Sequence, residues 1–376
     1  MLFAKYDRYL LVATLSLLVW GLLMVTSSSL EIANQQTGRP FYYMMRQSTY
    51  LLLSLGVMGL SVQLPSHFLQ RIAVKLLLLT LFCLVLVLIP GIGKVVNGSR
   101  RWLQLGPARL QISEFAKFTF VVYLARYLAC YPQQVATRLR GFLKPLGLLT
   151  VLSFLLLQEP DLGAAIVIIA TAFAMLFLAG ARLGPFIVLL GSVSLLIVGL
   201  MLGSSYRFLR LTSFFNPWHH PFGNGYQLTQ SLIAMGRGGW WGVGLGESVQ
   251  KLFYLPEAHT DFIFAVLVEE LGLLGGLLLI GLFTVIIARA FTIAWQCLQS
   301  QHLFDAYLAY GIGMNIALGA VINIGVNTGL LPTKGLTLPF ISYGGNSLLV
   351  SCIMIAILLR IEATLGHTRS KVKCIT

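Results

Sequence analysis

Charge is what this sequence lacks. Only 10% of its 376 residues are Asp, Glu, Lys or Arg, against roughly 25% in a soluble domain. Acidic residues are the scarcer sign, with 12 in the whole chain. Such scarcity excludes a disordered chain, which stays solvated through its charge, and almost any water-soluble enzyme of this length. Cysteine is thin as well. Cys83, Cys130, Cys297, Cys352 and Cys374 are odd in number and never spaced C-x-x-C, so they form neither a disulfide framework nor a zinc site. No soluble domain, low-complexity tract or repeat interrupts the sequence. What is present is apolar: 57% of residues are hydrophobic, in Leu-rich runs long enough to cross a bilayer. The expected fold is an all-α integral membrane protein, a single polytopic domain over residues 1–376.

Ten spans are expected, at 9–29, 46–64, 72–90, 112–131, 145–158, 161–180, 184–203, 261–288, 304–329 and 341–361. The fifth is short, and the eighth is long enough to tilt or to emerge from the bilayer. Lys5 and Arg8 give the first run the look of a signal-peptide core. However, Ser27–Leu30 offers no cleavage site and nine spans follow, so it is read as a retained anchor. An even count puts both termini on one side. If that side is cytoplasmic, it carries fourteen basic residues: Lys5, Arg8, Arg71, Lys75, Arg126, Arg138, Arg140, Lys144, Arg182, Arg289, Arg360, Arg369, Lys371 and Lys373. The short outer loops carry seven: Arg39, Arg46, Lys94, Arg100, Arg101, Arg109 and Lys334. Fourteen against seven places the termini inside, with the long 204–260 loop discounted. The net charge of +14 is thus orientation, not a nucleic-acid footprint. Of the acids, only Asp7, Asp305 and Glu362 fall inside, so the functional face is expected to be extracytoplasmic.

Ionisable groups inside spans are costly and therefore informative. Glu114 and Lys117 stand three apart on one helix face, either neutralising each other or forming a polar cavity wall. Asp161, after Pro160, suits a helix start, where a carboxylate meets the dipole, or an active site. The 204–260 loop is the one sizeable extramembrane segment. Its glycines at 236, 238, 239, 242, 244 and 246 either make turns or let backbone approach a phosphate. Arg207, Arg210, Arg237 and Lys251 would suit a pyrophosphate or lipid headgroups. In Leu255-Pro-Glu-Ala-His-Thr-Asp261, Asp261 stands at the water–membrane boundary beside His259 and within reach of Glu257. Partial burial there raises a carboxylate pKa, which suits a general base; a helix cap is the plainer role. Glu269 and Glu270 lie two turns deeper and about 100° apart, so they cannot share a cavity. His219, His220, His259 and Asp261 have zinc-ligand chemistry without a diagnostic spacing. Near the end, Asn323 and Asn327 share a helix face. Pro332, Gly335 and Pro339 then force irregular backbone, which at membrane depth must be buried or line a wet cavity. Lys334 in that stretch could balance a phosphate.

Six ordered segments resemble one family. They are Asn97–Trp102, Gln111-x-Ser-Glu-x-Ala-Lys117, Pro160–Gly163, Gly225-Tyr-Gln-x-x-Gln-Ser231, Leu255–Ala265, and Leu331–Pro339 followed by Ile341-Ser-Tyr-Gly-Gly345. Together, over nearly the whole chain, they resemble the SEDS family (shape, elongation, division and sporulation). Glu257-Ala-His-Thr and Pro332-Thr-Lys-Gly look like its cell-division branch. Ile112 and Asn346 depart from frequent Pro and Ser, and Asn216-Pro-Trp-His-His stands where the family often has more charge.

The resemblance implies a ten-helix glycosyltransferase that polymerises lipid II into a nascent glycan strand outside the cytoplasmic (inner) membrane, at the division septum. Asp261 matches the family's essential aspartate. It would deprotonate the attacking hydroxyl or hold a divalent cation, magnesium or manganese; no organic cofactor is implied. Lys334, Lys251 and Arg101 are the candidate cations for the leaving pyrophosphate. Glu114, Lys117, Asp161, His259 and Ser342 are the further substrate or cavity candidates. The implied partners are a cognate class B penicillin-binding protein transpeptidase (FtsI-like), other divisome proteins and membrane lipid, and no nucleic acid. From the residues alone, outward-facing acids, cations and glycines also suit a lipid II flippase, and a non-catalytic divisome scaffold would need only the helix surfaces.

The charge count makes a direct prediction. In a cysteine-free background, a cysteine at 220 should react with an impermeant maleimide on intact cells. Labelling only after permeabilisation would invert the topology.

Overall fold

The computed structural model describes residues 6–96, 99–106, 108–202, 214–219, 221–223 and 225–373. Asn97 and Gly98 of the first motif, and Arg207, Arg210 and His220 of the long loop, lie outside the described residues. The chain runs α1 (Arg8–Thr37), α2 (Tyr42–Ser61), α3 (Ser66–Leu88), β1 (Gly93–Val96), β2 (Ser99–Leu105), β3 (Ala108–Gln111) and α4 (Ile112–Cys130). There follow a short α5 (Pro132–Thr137), α6 (Leu139–Gln158), α7 (Leu162–Leu178), α8 (Leu183–Leu202), α9 (Tyr226–Gly238), α10 (Ile263–Gln299), α11 (Leu303–Asn327) and α12 (Gly345–Lys373).

Helices cover all ten expected spans. Six of them are both long and apolar enough to cross a membrane: α1, α3, α6, α10, α11, and α12 over Gly345–Leu365. The shorter α7 is equally apolar in character. Ten crossings remain the expectation from the sequence; length and apolarity together support these six. The span expected to be short, 145–158, begins earlier, at Leu139, because Arg140 and Lys144 disguise its first turns as loop. Helices α4 and α11 form the centre, with Phe120, Leu124, Leu128, Ile312 and Ile316 buried. Helices α2 and α3 turn Leu52, Leu53, Leu78, Leu79 and Phe82 outward, which is what a lipid-facing shell requires.

Two features depart from the expected all-helical pattern of spans and loops. A three-stranded antiparallel sheet, in the order β1–β2–β3, fills the segment between α3 and α4. Its register sets Trp102 opposite Gln111 and Gln104 opposite Arg109, and β3 runs directly into α4. Strands this short and this basic carry no readable alternation. The second feature is α9, a helix within the long loop. Its buried Leu228, Ser231 and Ala234 recur at helical spacing and dock on α10 and α11.

The glycine-rich stretch after α9 makes turns and also repairs a broken helix. Helix α10 kinks at Gly272 (φ 72°, ψ −176°), which frees backbone groups that an apolar setting must pair. Val243 and Gly244 donate N–H bonds to the carbonyls of Glu269 (3.0 Å) and Glu270 (3.1 Å). In return, Leu273 and Leu274 donate to the carbonyls of Gly239 (2.9 Å) and Trp240 (3.3 Å). The two backbones touch: a Cβ on Gly242 would sit 2.1 Å from Glu270 O, and one on Gly272 2.3 Å from Trp240 O. Both glycines have positive φ, 82° and 72°, so both space and conformation demand glycine.

Gly272→Ala should therefore destabilise the protein by about 2–3 kcal/mol. Gly281→Ala, where a Cβ meets nothing within 4 Å, should be neutral. Equal melting temperatures for the two variants in detergent would refute the clasp.

Candidate active site

Six segments distant in sequence close around one cavity of about 730 Å³. They are the start of α2, the sheet with the start of α4, the α6–α7 turn, the start of α9 through Gln227, the loop before α10, and the irregular stretch after α11 with the first turn of α12. The cavity gathers acids (Glu114, Asp161, Glu257, Asp261) and cations (Arg46, Arg101, Arg109, Lys334).

Asp261 stands two residues before α10, on a loop pinned by the buried apolar Leu255, Ala258 and Phe262. Its backbone carbonyl accepts from the side-chain amides of Asn323 (2.9 Å) and Asn327 (3.0 Å). The two asparagines share one face of α11, as their spacing predicts. Asn327 Oδ1 also accepts from the N–H of Ala265 at 3.1 Å, and Asn323 Nδ2 donates to Leu336 O at 2.6 Å. One face of α11 thus fixes both the Asp261 loop and the irregular stretch. Gly335 lies against the carboxylate, where a Cβ would meet Oδ2 at 2.8 Å.

Burial pushes the Asp261 carboxyl up to about 7; Glu257 adds to the rise, Arg101 opposes it, and Asp161 adds again. His259 is shifted the other way: burial lowers its pKa against the pull of Glu257, so its ring is held neutral. It packs between Tyr43 and Tyr343, at ring centroid distances of 5.1 and 5.7 Å.

Arg101 reaches from β2 to the α6–α7 turn. Its Nε donates to Glu159 O at 3.0 Å and its Nη2 to Pro160 O at 2.6 Å. Asp161 caps α7, as a helix start requires, accepting from Ala164 N at 3.2 Å, and it also lines the cavity. Glu114 and Lys117 pair at 2.7 Å with side chains 8% and 11% exposed. Both earlier readings hold in part: Glu114 forms cavity wall, while Lys117 neutralises it from behind and does not line the space.

Besides Lys117, two more expected site residues lie outside the cavity lining. Lys251 is buried outside the cavity, its ammonium taken up by Glu270 (2.8 Å), Ser27 Oγ (3.0 Å) and Gly246 O (2.7 Å). It neutralises a buried carboxylate and has no donor left for a pyrophosphate. Ser342 is also buried outside the cavity, donating to Thr260 O and accepting from Leu338 N at 2.8 Å; it ties two loops together. Glu269 and Glu270 do not share a site, as their angular separation demands. Glu269 binds Ser248, Val249 N (3.2 Å) and Arg237 (3.7 Å), whereas Glu270 takes the Lys251 ammonium.

Sequence reasoning missed others. Arg46, counted only as an outer-loop charge, lines the cavity and is steadied by the hydroxyls of Tyr42 (3.2 Å) and Tyr50 (3.1 Å); its tyrosines at i−4 and i+4 were the available signal. Glu159 is completely buried, and neither carboxylate oxygen has a hydrogen-bond partner. Burial, then Asp161, pushes its pKa up to about 8 against Arg101. Among the described residues, no group of three or more His, Cys, Asp or Glu could hold a metal ion.

With this geometry in place, the chain was compared with known proteins. A family model described as cell cycle protein, FtsW/RodA/SpoVE, matches residues 8–367. The chain belongs to that family. It is similar to a protein of Coxiella burnetii named "Probable peptidoglycan glycosyltransferase FtsW", at 56% identity over 95% of this chain and 96% of the relative. A Legionella pneumophila protein of the same name is 50% identical over 95% of this chain and 91% of its own. Among solved structures, a chain from "Structural coordination of polymerization and crosslinking by a peptidoglycan synthase complex" matches with a TM-score of 0.79. It is 29% identical, over 96% of this chain and 98% of that one. The rod shape-determining protein RodA of Thermus thermophilus matches with a TM-score of 0.70 and 27% identity, over 95% of this chain and 96% of its own. The two sequence relatives are thus named as probable peptidoglycan glycosyltransferases FtsW, and the chain has the membrane fold of the RodA structure.

The placement of Lys251 generates a test. Lys251→Met leaves a buried carboxylate unpaired and should cost about 3–5 kcal/mol of stability. Adding Glu270→Gln should recover part of that loss. A stable Lys251→Met single variant impaired only in activity would instead return Lys251 to the substrate site.

Proposed function

We propose that this peptidoglycan glycosyltransferase polymerises lipid II in the 730 Å³ cavity, with Asp261 as general base. The observation that carries the assignment is Asp261 itself. Its backbone is held by two asparagines at a cavity lined by four cations, and burial pushes its carboxyl up to about 7. A base near the working pH accepts a proton readily without losing its driving force.

In the proposed step, the 4-hydroxyl of the GlcNAc of lipid II attacks the anomeric carbon of a lipid-linked glycan. The new C–O bond forms as the bond to the pyrophosphate oxygen breaks, and the hydroxyl proton passes to Asp261. Undecaprenyl pyrophosphate leaves with the bonding pair, and attack from the opposite face inverts configuration. Arg101, Lys334 and Arg46 are assigned to the charge that develops on the leaving group; Glu114 and Asp161 are assigned to substrate hydroxyls. A magnesium or manganese ion would have to be shared between the protein and the substrate, since no cluster of three or more acidic, His or Cys residues that could hold one stands among the described residues. Asp261 would contribute one carboxylate and the substrate pyrophosphate the remaining oxygens, which would make the group a better electrophile.

The similarity to a chain from a peptidoglycan synthase complex supports a class B penicillin-binding protein as partner, within a larger divisome. The charge bias of the short loops supports cytoplasmic termini and residence in the inner membrane, and the division-type relatives support the septum.

Asn matches Asp in volume, and the bonds that pin residue 261 are accepted by its backbone carbonyl, so Asp261→Asn should melt with the wild type. Its polymerisation of lipid II should fall by roughly 10²–10⁴-fold. Because the base must be unprotonated, wild-type kcat/KM should rise with pH through about 7 and level off above it. Wild-type polymerisation by the Asn variant would remove Asp261 from the mechanism. Lipid II translocation by a protein unable to polymerise it would favour a flippase.

A further inference from the structure

Helices α1 and α10 pack antiparallel and are cross-tied by charged groups at only two levels. At one, Asp7, which caps α1, pairs with Arg289 of α10. At the other, Ser27 of α1 donates to the carboxylate of Glu270 (2.6 Å), which also pairs with Lys251. Between these levels neither helix has a charged residue: α1 has none over 9–30, and α10 has none over 271–288. The separation is twenty residues along α1 and nineteen along α10, about 30 Å at 1.5 Å per residue. That equals the hydrocarbon thickness of a bilayer.

Exposure changes at the same outer level. Residues 263–270 of α10 are all buried, whereas Leu273, Leu274, Leu277 and Leu278 face outward. The clasp that meets α10 there presents Trp240 and Trp241, 65% and 82% exposed. Beside Lys251, Leu252, Phe253 and Tyr254 are exposed as well. Toward the inner end of α10, beyond Arg289, Trp295 is 60% exposed. Paired aromatic levels bracketing an uncharged stretch are the mark of the two membrane interfaces.

We infer that the α9–α10 clasp is a membrane-interface collar, with Trp240 and Trp241 seated among lipid headgroups at the outer hydrocarbon edge. The 226–262 segment then rests on the bilayer rather than projecting into water. Asp261 stands above Glu270 by the first two turns of α10, about 10 Å. The headgroup layer on one side is roughly 5–8 Å deep. The collar therefore holds the cavity floor at the outer edge of the headgroups, where the sugar of a membrane-anchored pyrophosphate lies. The depth assignment rests on the cross-ties and the aromatic levels and is independent of whether Asp261 is the base.

Nitroxide labels at 241, 285 and 222 of the cysteine-free full chain, in proteoliposomes, test the collar by power saturation with oxygen and with a water-soluble nickel chelate. The label at 285 should favour oxygen and that at 222 the chelate. The label at 241 should fall between them, within about 5 Å of the acyl–headgroup boundary. A label at 241 as open to the chelate as that at 222 would overturn the collar and leave the tryptophan pair facing water or a soluble protein partner. A second measurement avoids the label. Brominated lipid should quench tryptophan emission of the wild type more than that of the Trp240→Phe/Trp241→Phe variant. Equal fractional quenching of the two would also overturn it.

Discussion

The carbonyl oxygen of Asp261 accepts two side-chain amides from one face of α11, and the rest of the site depends on that contact. The loop before α10 carries the acid and the stretch after α11 carries Lys334, yet neither is regular structure. Both are held by Asn323 and Asn327, whose remaining polar atoms reach Leu336 and Ala265. Hydrogen bonds in an apolar bundle are hard to exchange for water, so this lattice is stiff where a surface loop would not be. The carboxylate is thereby positioned without spending its own oxygens on structure.

The same economy of charge governs the whole chain. Seven of its twelve acids occur in two settings. Glu114, Glu269, Glu270 and Asp7 are buried beside a basic partner. The cavity acids Asp161, Glu257 and Asp261 share a wet space with arginines and a lysine. An uncompensated buried carboxylate would cost several kcal/mol and would shed its charge by taking up a proton. Glu159 shows this response, with a pKa raised to about 8. Asp261 shows an intermediate one, because it lies deep but keeps contact with the cavity and with the field of Arg101. Its basicity is thus a product of depth.

The broken helix α10 separates the cavity end from the apolar, outward-facing end. Above Gly272 the helix is enclosed by protein, and below it faces lipid. Reciprocal hydrogen bonds with the 239–244 backbone remove the penalty of the break. Helix α9, which leads into that backbone, is also bonded to the outer end of α11 through Ser231 and Asn327 O at 2.8 Å. The kink, the clasp and the Asp261 loop are therefore mechanically continuous.

Sequence alone determined what one-dimensional chemistry can carry. A scarcity of charge and repeated apolar runs marked a membrane protein. Six ordered motifs marked its family, and the rarity of carboxylates singled out Asp261, Glu114 and Asp161, all of which line the cavity. The angle between Glu269 and Glu270 was legible because helical periodicity is local. Only the tertiary structure decided which cations face the substrate space. Lys251 looked like a phosphate ligand, yet its partner Glu270 is nineteen residues away and Ser27 lies on another helix. Arg46 looked like a loop charge, and Ser342 like a cavity residue. The glycine stretch had two readings until its backbone was seen against Gly272. A side chain's role depends on what stands within about 3 Å of it, and in a bundle those neighbours come from distant helices.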